Sequence, residues 1–143
     1  MKLGRLNHVG VATPSIAESI AYYHDTMGAD DISVPFDLPE QGVTVCFVTP
    51  AGGGTQVELI EPLDENSAIA GFIAKNPLGG QHHICFEVED IAAARSWFEG
   101  KGKRVLGPTR IGAHGTPIFF LHPKDMMGQL TEIMETPKED AHG

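Results

Sequence analysis

The sequence predicts an α+β protein in which two tandem β-α-β-β-β modules join into one curved mixed sheet with a metal site in its concave face. Residues 8–23, HVGVATPSIAESIAYY, match residues 83–98, HICFEVEDIAAARSWF. The offset of 75 pairs His8 with His83, Ser15 with Asp90, Ile16 with Ile91 and Tyr23 with Phe98. Further on, VELIEP at 57–62 resembles TEIMETP at 131–137 and pairs Glu58 with Glu132 at an offset of 74, so a single-residue gap reconciles the two matches. The recurring polar residues are a histidine on each first strand and a glutamate on each last strand, at positions that alternation turns the same way.

The first module spans about residues 3–62. Residues 3–12 read as a strand, with Val9 and Val11 on one face and His8, Gly10 and Ala12 on the other. Ser15 followed by Glu18 has the form of a capping box, which makes Ser15 the expected helix N-cap. Ile16, Ile20, Tyr23 and Met27 then recur at helical spacing as an expected buried stripe, and Gly28 can end the helix. Residues 29–36 are a weaker strand, and Pro39 and Gly42 mark 37–42 as a loop. Residues 43–49 and 55–61 are strands joined by the glycines at 52–54; that run lacks the lysine and helix context of a phosphate-binding loop.

Residues 67–76 read as a helical linker with Ile69, Phe72 and Ile73 on its apolar face. The second module follows, at about 81–136. Its first strand runs through GGQHHICFEVED, with Ile84, Phe86 and Val88 expected in the core and His83, Cys85 and Glu87 on an open face. Asp90 caps a helix whose inward residues are Ile91, Ala94 and Phe98. Residues 103–106 read as a short strand, 107–115 as a loop with His114 near its tip, 116–122 as a strand, 123–128 as a turn and 129–136 as the last strand. The remainder, 137–143, reads as a frayed tail.

With 143 residues the chain can bury a full core, as a single domain made of the two modules. A net charge of −9 argues against nucleic-acid binding, which calls for a basic face. No apolar run could span a bilayer, and MKLGRLNHVGVATP lacks the apolar core of a signal peptide. Cys46 and Cys85 lie in strand-like runs and read as buried thiols of a cytoplasmic protein.

Glu58 and Glu132 each sit between apolar residues on a central strand, where a carboxylate is costly to bury without a compensating charge. A divalent cation supplies that charge. Two imidazoles and two carboxylates suit Co²⁺, Ni²⁺, Zn²⁺ or Mn²⁺ in an octahedral site with two open positions. The bland alternative places both glutamates at solvated strand ends. Gln56 faces the same way as Glu58 and is a weaker candidate, whereas His82 points to the opposite face from His83.

The repeat resembles the vicinal oxygen chelate superfamily, and within it the methylmalonyl-CoA epimerase family, over about residues 4–135. LNHVGVAT, LPEQGV, VELIEPL, GFIAKNPLGGQHHICFEVEDI, IGAHGTPIFFLHPKD and LTEIME carry the resemblance. It implies metal ligands at His8, Glu58, His83 and Glu132; some members carry Gln where this chain has Glu58. It puts Co²⁺ first among the metals. It implies an acyl-CoA substrate, a homodimer, and inversion at the α-carbon of a 2-methylmalonyl thioester by two bases, Glu40 and Glu132. Taken alone, Glu40 would be a solvated loop carboxylate. Lys101, Lys103, Arg104 and Arg110 are the densest basic cluster, read as a solvated helix end. The rival readings are a glyoxalase acting on a glutathione hemithioacetal and, from another class, a drug-sequestering protein of the same fold.

Overall fold

The computed structural model describes residues 1–138; of the expected tail, residues 139–143 lie outside the described residues. The chain divides into two compact units, one formed by His8–His82 and the other by Met1–Asn7 with residues 83–138. The described residues hold nine strands and three α-helices, in the α+β order that the repeat predicts.

In the first unit, β1 (Leu6–Ala12) leads into α1 (Ile16–Asp25). Ser15 caps α1 as expected: its backbone is extended and its hydroxyl accepts from the Glu18 N–H at 3.1 Å. The capping box is not reciprocal, because the Ser15 N–H donates to Thr13 Oγ1 at 3.1 Å. The strands β4 (Val43–Thr49) and β5 (Gln56–Pro62) form an antiparallel pair, and β5 runs parallel to β1. The weak strand expected over 29–36 shrinks to β2 (Asp31–Ile32), and the expected loop opens with β3 (Phe36–Leu38); both pair with β4. Pro35, which cannot donate to a ladder, separates the two fragments. Ile16, Cys46, Val48 and Leu59 form the core beneath α1, with Ile20 and Tyr23 packed on it. The stripe stops there: Met27 lies beyond the helix and is 60% exposed.

The linker helix forms as α2 (Ala68–Lys75), capped by Ser67 and anchored by buried Ile69. Beyond it, Gly79 has φ +83° and passes so close to Ala12 that a side chain would strike the Ala12 carbonyl.

The second unit repeats the plan with β6 (Gly80–Val88), α3 (Ile91–Gly100), β7 (Val105–Ile111), β8 (Pro117–Leu121) and β9 (Thr131–Glu135). Its strand order is β6-β9-β8-β7, with β6 parallel to β9 as β1 is to β5. The short strand expected at 103–106 instead continues to Ile111 through an irregularity between Leu106 and Arg110. Arg95 of α3 pins that stretch, donating to the Gly107 carbonyl and to Thr109 Oγ1. Val88, Ile91, Ala94, Phe119, Leu121 and Ile133 make the core beneath α3, with Phe86 and Phe98 against it.

The face of β6 expected to be open is instead filled. Cys85 packs with Ile118 and Met134, all at most 2% exposed, whereas Ile84 is only half-buried. Further along that face, buried Glu87 accepts from Arg5 Nε at 2.7 Å and Asn7 Nδ2 at 2.8 Å. These donors satisfy a carboxylate that burial would otherwise penalise.

The duplication extends to a pair of hydrogen bonds that the sequence did not announce. Glu61 Oε1, near the end of β5, accepts the Ile16 N–H at 2.6 Å, and Glu135 Oε1, at the end of β9, accepts the Ile91 N–H at 3.2 Å. Each last strand therefore caps its own unit's helix with a carboxylate, at the end where the helix dipole favours negative charge. Glu61→Ala should lower stability by about 1–2 kcal/mol, read as a shifted urea midpoint with an unchanged slope.

Candidate metal-binding residues and their surroundings

In both units the strand register sets an imidazole diagonally against a carboxylate. In the first unit Gly10 is the direct neighbour of Glu58, and His8 lies two residues back on the same face of β1. In the second unit Cys85 is the neighbour of Glu132, and His83 lies two residues back on β6. A small residue directly beside the glutamate leaves room for the imidazole to reach across. On the other side of each glutamate stands a phenylalanine of the antiparallel strand, Phe47 beside Glu58 and Phe120 beside Glu132. Phe120 also meets His83 edge-on, with ring centroids 5.4 Å apart. These two aromatic walls were not singled out in the sequence, although their spacing of 73 follows the repeat.

The resulting pairs are close and buried. His8 Nε2 lies 3.6 Å from Glu58 Oε2, and His83 Nε2 lies 3.1 Å from Glu132 Oε1. The four residues are 0%, 6%, 4% and 6% exposed, which rules out solvated strand ends. Two ligands in cis positions, each about 2.1 Å from one ion, stand about 3 Å apart. Both pairs are near that spacing, and imidazole with carboxylate is a donor set for borderline divalent metals.

The other candidates are placed differently. Glu40 lies outside both pairs, exposed on a 3-10 turn, Pro39–Gln41, which Gly42 closes at φ +69°. Gln56 donates to Thr49 Oγ1 at 3.0 Å. His82 meets the Phe72 ring edge-on, away from the first unit's pair. Neither cysteine is placed as a nucleophile: both are buried free thiols, and burial pushes the Cys46 thiol up. In the basic cluster, Arg104 is held by Asp125 through Nε at 2.9 Å and Nη2 at 3.2 Å, and the Lys101 ammonium lies 4.4 Å from the Trp97 ring centroid. His114 is half-buried on the turn at 112–115.

Residues 7–120 match the model of the glyoxalase/bleomycin resistance protein/dioxygenase superfamily. The chain belongs to that superfamily. It is 53% identical over 133 residues to the ethylmalonyl-CoA/methylmalonyl-CoA epimerase of Cereibacter sphaeroides, covering 92% of this chain and 97% of that one. It is 48% identical to the mitochondrial methylmalonyl-CoA epimerase of Mus musculus, over 92% of this chain and 73% of the relative. Among solved structures, a methylmalonyl-CoA epimerase in complex with methylmalonyl-CoA and ammonium superposes with a TM-score of 0.85 at 36% identity, covering 94% of this chain and 96% of the other. The α+β architecture expected of the vicinal oxygen chelate fold is thus borne out. Among the described residues, no helix is long and apolar enough to cross a membrane.

The Arg104 contacts hold the Asp125 carboxyl well below the ordinary carboxylate range. A carboxyl depressed in the folded state stabilises the protein above its ordinary value of 3.8 and loses that contribution as pH falls towards its folded value. Asp125→Asn should therefore flatten the acid limb of the stability curve below about pH 4, in thermal melts collected across pH 2–7.

Proposed function

We propose that the protein is an epimerase of 2-alkylmalonyl-CoA thioesters, acting on methylmalonyl-CoA, with His8, Glu58, His83 and Glu132 as ligands of a single divalent ion. The observation that carries this reading is the buried His–Glu pair that each unit repeats, at 3.6 and 3.1 Å, in a chain so similar to named epimerases. In this reading each unit supplies two of the four ligands and the two modules form one domain. Cobalt comes first among the candidate ions, followed by zinc, nickel and manganese, which accept the same donors. The chemistry such an ion supplies is Lewis-acid stabilisation of negative charge on the thioester oxygen.

Inversion at the α-carbon needs a base on one face and an acid on the other. Glu132 and Glu40 fill these roles: one carboxylate takes the α-proton, the other returns a proton from the opposite side, and the thioester leaves with only its configuration changed. Glu132 can combine the roles of ligand and base because its oxygens differ. Oε1 is the atom at His83 Nε2. In this reading Oε2 takes the proton. Burial of Glu132 between Phe120 and Cys85 keeps bulk water from competing for that oxygen. Glu40, exposed on its turn, exchanges its proton with solvent between turnovers. A reducing cytoplasm, consistent with the two free cysteines, and a homodimer, implied by the superfamily resemblance, complete the reading.

In D₂O the wild-type protein should carry deuterium into the α-position of methylmalonyl-CoA, followed by NMR or mass spectrometry. No incorporation at any divalent-metal loading would refute the assignment. Glu40→Gln should keep the bound ion and lose about 10²–10⁴-fold in epimerisation rate, the usual contribution of a general acid–base group. Normal turnover by that variant would remove Glu40 from the mechanism.

A further inference from the structure

On the α1 side of the first unit's sheet lies a cavity of about 390 Å³. Its deepest lining is the neighbouring pair Val11 of β1 and Leu59 of β5, the latter 1% exposed. His8 and Glu58 belong to the opposite face of these two strands, so the cavity is separate from their site. Tyr22 and Tyr23 line it from α1, their rings edge-to-face with centroids 5.1 Å apart. The segment 78–80 lines it from across the opening. That segment is fixed in place: Gly79 lies against the Ala12 carbonyl, and its N–H donates to the Asn76 carbonyl at 2.8 Å. The volume falls in the range of about 300–1,000 Å³ usual for small-molecule sites. At the rim, Leu78 is 96% and Tyr22 49% exposed, which is apolar surface that a bound molecule would cover.

The lining sets the sign of the charge that it can accept. Glu18, exposed in the first turn of α1, is its one charged residue. No lysine or arginine lines the cavity to hold an anion. The positive end of α1 is engaged too, because the Ile16 N–H donates to Glu61 Oε1 and the Glu18 N–H to Ser15 Oγ. The polar groups that remain are hydroxyls. Thr13 Oγ1 and Ser19 Oγ bond each other at 2.7 Å. Burial, with Tyr22 beside it, pushes the Tyr23 phenol up, which keeps it neutral. A carboxylate attracts a cation by charge, and two tyrosine rings attract it through their π faces. We infer that this cavity is a binding site for a small organic ammonium ion, with its charge at Glu18 and its apolar body against Tyr22, Tyr23 and Leu59. The site shares no residue with the proposed epimerase chemistry and stands or falls apart from it.

The test titrates the full chain with phenethylammonium, phenethyl alcohol and hydrocinnamate, which share a shape and differ in charge, and follows backbone amide signals by NMR. Shifts should gather on Thr13, Ser19, Tyr22, Tyr23 and Leu78. The ammonium should bind at about 1 mM, about tenfold tighter than the alcohol, and the carboxylate more weakly than either. Glu18→Gln, at an exposed position, should cut the preference for ammonium over alcohol about threefold. Tyr22→Ala should weaken both about fivefold, through the lost aromatic wall. Where that variant fails to fold, Tyr22→Leu keeps the apolar bulk, removes the π face and is read by the same preference. No shifts on these residues up to about 50 mM ammonium overturn the site. Equal binding of the three probes, or an unchanged preference in Glu18→Gln, overturns the class of ligand. Signals from these residues that move with protein concentration and not with probe show a second copy covering the cavity, and overturn the inference as well.

Discussion

The structure depends most on the burial of two carboxylates. Glu58 and Glu132 are each 6% exposed, inside strands whose other residues are chosen for packing. An isolated carboxylate so placed would cost several kcal/mol or give up its charge. Each instead has an imidazole set diagonally across the parallel strand, and that placement requires a small neighbour, Gly10 or Cys85, at the intervening position. The parallel pairing of first and last strand is thus a requirement of the charge as well as a feature of topology. Glu87 makes the contrast plain, because it lies on the same face of β6 as His83 and its carboxylate is satisfied by Arg5 and Asn7. Glu87 is met by a guanidinium and an amide, whereas the Glu58 and Glu132 oxygens each face an imidazole.

Much of this was legible in the sequence, because it rests on local rules. Ser15 and Asp90 cap their helices as their positions before apolar stripes suggest. Alternation put His8 with Glu58, and His83 with Glu132, on shared faces. The repeat singled out His8 and His83 among the seven histidines, and each stands buried beside a carboxylate. Errors came where tertiary contacts overrode the local pattern. Residues 107–111 carry Gly107 and Pro108 and read as a loop, yet Arg95 reaches across from α3 and holds them alongside β8. Residues 29–36 look strand-like, yet only Asp31–Ile32 pair.

Other features were silent because their signal is spatial. Nothing in VELIEP or TEIMETP marks Glu61 or Glu135 as a helix cap, since the donating N–H is 45 or 44 residues away. The error over the face of β6 has the same origin. A strand expected to carry ligands was expected to leave that side open, but His83 takes up only one position of it. Cys85 and Met134 fill the next positions with apolar atoms.

The division of the chain also bears on how the protein is made. The first unit is contiguous, His8–His82, whereas the second joins the opening heptad, Met1–Asn7, to everything from residue 83 onward. On the ribosome the first unit has all its strands available once residue 82 has emerged. Gly4, Arg5 and Asn7 must then wait, their bonding partner Glu87 being still unmade, until the later strands are synthesised. A nascent chain stalled in this interval would display an untethered N-terminal arm, and a tag fused there would be carried on the last segment to lock into place.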